Sequence, residues 1–147
     1  MPSANVFDDF VRDISYRVFR QDGKIALTAT MKDLFHDIFM EVLVEPETMV
    51  IAAAEIKFAK HPTEYCPEID RAVAKLAGTT IGKGLNRRLI EIFGGRQGCG
   101  NIRTMLMGLL PLALNAKAAE GINGQDAMLA KIRKELTGTC IGYPSDI

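Results

Sequence analysis

Three cysteines hold most of the reactive chemistry available to this chain, and two of them stand where helices are expected to open. Cys99 follows the glycine-rich run Gly94-Gly95-Arg96-Gln97-Gly98 and precedes a long apolar helical stretch beginning near Asn101. Cys66 directly precedes Pro67, a residue suited to the first helical position because it has no N–H to leave unpaired. Free backbone N–H groups and the positive end of the helix dipole stabilise a thiolate in such places. If the two helix starts meet in space, they form a two-thiol site open to a metal, a sulfur atom or an oxidant. The candidate metal ligands are then Cys66 and Cys99, with Asp70, His61 or Cys140 completing the set, and the candidate cofactor is a transition metal or an iron–sulfur cluster. No C-x-x-C or H-x-x-x-H spacing supports a zinc site. The competing explanation is packing, since free cysteine is among the most buried residue types.

Other residues carry weaker signals. His61 precedes a proline in a loop, and His36 begins a strand with no ligand signal; spacing pairs neither with Cys99 as base and nucleophile. The Gly82-Lys83-Gly84 and Gly94–Gly98 loops could each hold an anion on backbone N–H groups at a helix start. This makes Gly82, Gly84, Gly95, Arg96 and Gly98 candidate anion contacts, with Arg87 and Arg88 nearby in sequence. No strand precedes these glycines as a dinucleotide fingerprint requires, and helix caps or tight turns explain them equally well. Met105 and Met107 read as core or oligomer-interface residues.

The elements that must position these residues change character along the chain. Residues 1–12 form an amphipathic lead-in with Phe7, Phe10 and Val11 on one helical face. From Asp13 the hydrophobic period becomes two: Ile14, Tyr16 and Val18, then Ile25, Leu27, Ala29 and Met31, with Asp22-Gly23 as the hairpin turn. A second hairpin places Ile38, Met40, Val42 and Val44 before Glu45-Pro46-Glu47-Thr48, and Val50, Ala52, Ala54, Ile56 and Phe58 after it. Glu55 and Lys57 occupy the opposite, partly solvated face. Beyond Ala59 the pattern is helical. Ile69, Val73, Leu76 and Ala77 form a stripe ended by Gly78, and Leu85, Leu89, Ile92 and Phe93 form a second. A third helix spans roughly 101–118 with a kink or break at Pro111, and a last one spans 125–136 with Met128, Leu129, Ile132 and Leu136 inward. The expected class is α+β: an antiparallel sheet of two consecutive hairpins, then three to four helices packed on one face. One domain over 1–147 is expected, with strands over 13–59, helices over 64–136 and a tail over 137–147.

Bulk properties exclude more than they select. At 147 residues the chain can bury a substantial core. Its 18 basic and 18 acidic residues cancel, which argues against nucleic acid or an anionic membrane as partner and leaves homo-oligomerisation open. The longest apolar stretch, Met105 to Ala116, is about half the ~20 residues of a membrane span. Asp8, Asp9, Arg12 and Asp13 interrupt any secretory leader, and an odd cysteine count does not suggest a disulfide framework. A reducing cytoplasm is the expected location.

The order of features resembles an uncharacterised bacterial family known as a domain of unknown function. Its members carry paired strands, a cysteine before a helix, a Leu-x-Gly-x-x-Ile-Gly-x-Gly stretch, then Gly-Gly-x-x-Gly-Cys-Thr-His-Leu. The matching residues are Cys66, then Leu76, Gly78, Ile81, Gly82 and Gly84, then Gly94, Gly95, Gly98 and Cys99. Cys140 corresponds to a later family cysteine. This chain continues Cys99-Gly100-Asn101-Ile102, so Asn101 stands where the family motif has histidine; an N-terminal asparagine can cap a helix. More distantly, the order of strands and cysteines is similar to the fold of NifU-like iron–sulfur scaffolds and the related SufE-like topology. That resemblance implies metal, cluster or sulfur binding at Cys66 and Cys99. The alternatives are a ligand-binding or oligomerisation module with structural cysteines, or an enzyme using the Cys99 thiolate. The small ligand itself is not named by the sequence.

Overall fold

The Asp22-Gly23 pair sets the first hairpin. Both residues take positive φ, 51° and 78°, the left-handed conformations that a type I′ two-residue turn requires. The turn joins β1 (Asp13–Gln21) to β2 (Lys24–Lys32), with Gln21 opposite Lys24 and Asp13 opposite Lys32. This computed structural model describes residues 5–145. The second hairpin joins β3 (Asp37–Val44) to β4 (Ile51–Lys60), with register shifts at both ends. Strands β2 and β3 also pair, so the hairpins merge into one antiparallel meander of order β1-β2-β3-β4.

Alternation decides which sheet face is buried. Ile25, Leu27, Ala29 and Met31 of β2 and Ile38, Met40, Val42 and Val44 of β3 are all buried, and they share one face. Glu55 and Lys57 are exposed on the other, as expected. At the edge, Ile14, Tyr16 and Val18 of β1 face the core side opposite Met31, Ala29 and Leu27, yet no residue of β1 is buried.

The helices cover that face. After β4, a 3₁₀ turn (Cys66–Ile69) runs into α1 (Asp70–Ala74), and Gly78, at φ 88°, redirects the chain. The segment then pairs with the start of β4: Ile51 N–H donates to the Thr79 carbonyl at 2.8 Å and Gly78 N–H to the Ile51 carbonyl at 2.8 Å. The alternation pattern gave no hint of this short return, because it is a single bridge rather than a strand. Helix α2 (Leu85–Phe93) buries Leu85, Leu89, Ile92 and Phe93, the predicted stripe. Helix α3 (Gly100–Leu109) buries Ile102, Met105, Leu106 and Leu109. Pro111 then breaks the expected long helix, and α4 (Leu112–Ala118) follows. The buried residues of sheet and helices form one hydrophobic cluster. Gly108 on α3 lies under the Tyr16 ring, where a Cβ would meet the phenol oxygen.

The chain divides into two compact units at Ala116/Lys117. The lead-in described from Asn5 is a 3₁₀ turn (Val6–Asp8), not an α-helix; Phe7 and Phe10 pack with centroids 4.7 Å apart and rings tilted by 42°, and residues 1–4 of the expected lead-in lie outside the described residues. In the second unit, α5 (Gln125–Glu135) buries no residue. This corrects the inward assignment of its stripe: Leu129 and Leu136 are exposed, and Met128 and Ile132 are only half-buried. A stripe at helical spacing tells which residues share a face, not whether anything lies against it. The tail closes on itself, with Tyr143 N–H donating to the Cys140 carbonyl at 3.0 Å.

Candidate functional site

The site is assembled around a carboxylate in the link between the two hairpins. Asp33 Oδ1 accepts hydrogen bonds from the Phe35 and His36 backbone N–H groups, each at 2.8 Å, which closes a tight turn before β3. The same oxygen lies 2.9 Å from His36 Nδ1. Asp33 Oδ2 accepts from Arg12 Nε at 2.7 Å, and Arg12 Nη1 donates to Asn101 Oδ1 at 3.1 Å on the first turn of α3. One network therefore ties the entry to β1, the β2–β3 link and the start of α3. The Asp33 side chain has no exposed surface. Burial alone would raise its carboxyl, but hydrogen bonds from Arg12, His36 and the Phe35 amide, with the His36 charge, outweigh this and hold it down to about 2.

Cys66 is held from the loop after β4. Thr63 Oγ1 lies 3.4 Å from Cys66 Sγ and also accepts from the Tyr65 N–H at 3.2 Å. Cys99 is placed by close packing of the preceding glycines. Gly98 has an extended backbone with φ −112°, and a Cβ there would collide with the Phe93 carbonyl group; a Cβ on Gly94 would strike the Ile90 carbonyl oxygen. Only glycine lets the loop lie this tightly on the end of α2, and that proximity carries Cys99 to the N-cap of α3. Both cysteines are free thiols and half-buried.

These elements enclose a cavity of about 520 Å³. Cys66, Cys99, His36 and Asn101 all line it, so the two helix-opening cysteines do share one space. His36 is the residue that sequence reading missed. Its usable signal was the Asp33-x-x-His36 spacing, which permits one carboxylate to cap the turn and hold the ring, but no periodicity marks such a turn as functional.

The other candidates take different places. His61 does not line the cavity: its Nδ1 hydrogen goes to the Thr63 carbonyl at 2.6 Å, and its ring packs edge-on to Phe58 at 5.7 Å. Asp70 is exposed at the junction with α1 and does not line the cavity. Cys140 belongs to the second unit. Of the candidate anion contacts, Arg96 and Gly98 line the cavity, whereas Gly82, Gly84 and Gly95 do not. Gly84 is instead the left-handed N-cap of α2 at φ 87°. Arg88 pairs with Glu91 at 3.5 Å on an exposed face. Asn101 does not cap α3; Cys99 holds the N-cap position, and the Asn101 oxygen is engaged by Arg12. Among the described residues no group of three or more His, Cys, Asp or Glu could hold a metal ion.

A family model described as a protein of unknown function, DUF2889, matches residues 10–115. The chain belongs to the DUF2889 family. The match spans the sheet, α1 to α3 and the start of α4, and therefore includes every cavity residue named above. No curated protein and no solved structure matches the chain. Among the described residues no helix is long and apolar enough to cross a membrane.

Proposed function

We propose that this DUF2889 protein takes up a sulfur species on the thiols of Cys66 and Cys99, with His36 exchanging the proton. The observation that carries this reading is the convergence of both cysteines and His36 on one cavity, with His36 Nδ1 engaged by the buried Asp33 carboxylate. An ionised carboxylate can only accept, so the hydrogen between them belongs to Nδ1, and in the neutral ring Nε2 is the nitrogen open to a proton. The Cys99 thiol gives its proton to His36, and the thiolate attacks the outer sulfur of a persulfide R–S–S–H. That sulfur–sulfur bond breaks as a new one forms at Cys99, and the leaving thiolate R–S⁻ recovers the proton from His36. Electrons balance without an external oxidant. Cys66 is the second thiol to which the same exchange can pass the sulfur.

The NifU-like order of features enters here as support: antiparallel strands first, Cys66 after the last strand, Cys99 opening α3. A resident metal ion or iron–sulfur cluster has less to draw on, because the described residues do not supply a third ligand group. Free thiols must persist for this chemistry, so a reducing compartment such as the cytoplasm is part of the proposal.

The test is to incubate the protein with a small-molecule persulfide R–S–S–H and read intact mass and labelled peptides. The gain of one sulfur atom at Cys99 or Cys66 is expected, lost in Cys66→Ser/Cys99→Ser and kept in Cys140→Ser. His36→Ala is expected to slow loading by about tenfold, below the usual general-base contribution because thiols ionise in part unaided. Loading confined to Cys140, or equal rates in folded and urea-unfolded chains, would overturn the assignment.

A further inference from the structure

We infer that the cavity selects a small amphipathic organic anion, an apolar body bearing a carboxylate or phosphate. This deepens the thiol-site reading, on which it rests for the reactive end of the ligand. A volume of about 520 Å³ suits a small molecule rather than a folded partner, being within the roughly 300–1,000 Å³ typical of such sites. Its apolar wall is supplied by Ile38, Phe58, Ala72 and Ile102. Its charged residues are Arg71, Lys75 and Arg96 against the single carboxylate of Glu68.

That imbalance is local, because the chain as a whole carries equal numbers of basic and acidic residues. Arg71 and Lys75 are four residues apart along α1 and its C-cap, so they project from one helix face. Arg96 reaches the same cavity from the loop that delivers Cys99. None of the three cations has an ion-pair partner among the described residues. An excess of cationic side chains around a cleft raises the local potential and draws an anion toward it. Guanidinium groups match carboxylate and phosphate oxygens in bidentate geometry, while the apolar wall gives nothing to a bare inorganic anion. The site therefore asks for both features in one molecule.

The experiment measures binding of phenylacetate, phenyl phosphate, benzyl alcohol and inorganic phosphate to the full chain by calorimetry and amide chemical shifts. Both aromatic anions are expected to saturate in the millimolar range or below, with shifts at Cys99 and Ala72. Benzyl alcohol and inorganic phosphate are expected to bind at least about tenfold more weakly. Each of Arg71→Gln, Lys75→Gln and Arg96→Gln, all exposed positions that should fold normally, is expected to weaken the anions by about two- to fivefold. Equal binding of the neutral alcohol, no change in the triple variant, or no saturation by either anion up to about 10 mM would overturn the inference. Whichever anion binds tighter distinguishes carboxylate from phosphate. Repeating the titration in Cys66→Ser/Cys99→Ser separates the two proposals. Anion binding kept there supports the ligand class even where sulfur loading fails, and sulfur loading without anion binding removes this inference alone.

Discussion

Replacing Asp33 by asparagine isolates the carboxylate at the centre of the network. The carbonyl oxygen of asparagine can take the Oδ1 position and keep the two backbone N–H bonds at 2.8 Å and the His36 Nδ1 contact at 2.9 Å. What changes is the Oδ2 side, where an NH₂ group would face the Arg12 guanidinium that now donates at 2.7 Å. A hydrogen bond to a charged group contributes about 1.5–3 kcal/mol. Arg12 keeps a side-chain exposure of 34%, so water can satisfy its freed donor and the lower part of that range applies. The expected loss is about 2 kcal/mol at pH 7, read as a fall of roughly 1 M in the urea midpoint with unchanged slope. The pH dependence supplies an independent signature. The folded carboxyl is held down to about 2, below its ordinary value near ~3.9. Its stabilisation is therefore complete above about pH 4 and is lost as pH falls through about 2, where the unfolded chain already binds the proton. The difference in unfolding free energy between wild type and Asp33→Asn should shrink across that window, with Arg12→Ala as the second arm of a double-mutant cycle. A difference that is already below about 0.5 kcal/mol at pH 7, or one that stays constant from pH 5 to pH 2, would refute the assignment of Asp33 as an ionised, Arg12-paired hub.

Two further outcomes follow from packing. Gly98→Ala should cost about 3 kcal/mol or more in chemical denaturation, because its Cβ meets backbone at Phe93 that cannot rotate away, whereas Gly95→Ala, strained only through φ 67°, should cost about 1–2 kcal/mol. Leu106→Ala, at 0% exposure between α3 and the sheet, should cost about 2–5 kcal/mol while leaving persulfide loading of the folded protein within about twofold of wild type. Near-neutral Gly98→Ala or Leu106→Ala would mean that the loop or the helix packs differently.

Local rules recovered most of the elements. Period-two alternation gave all four strands, Asp22-Gly23 gave the first hairpin turn, and Pro111 gave the break between α3 and α4, whereas the first helix stops at Ala74, four residues short of the Gly78 that was expected to end it. These features depend on neighbours in the chain, which is why they are legible without a fold. Burial was legible only where a stripe has a partner: α2 buries the stripe its pattern suggests, while β1 and α5 carry apolar stripes of which no residue is buried. Glycine was ambiguous for the same reason, since Gly98 is required by the Phe93 carbonyl above it rather than by its own dihedral angles.

The sequence by itself determined the α+β class and the placing of two cysteines at the openings of helical segments, because strand period, turn chemistry and helix punctuation are properties of short stretches. Only the tertiary structure decided that Cys66 and Cys99 line the same cavity, that His36 joins them, and that His61 and Asp70 do not. Asp33, Arg12 and Asn101 are separated by tens of residues, and hydrogen bonds of 2.7 and 3.1 Å between them exist because the meander returns β1 beside β2 and the core seats α3 against the sheet. A site built from contacts across that distance has no period to read. It is written in the packing.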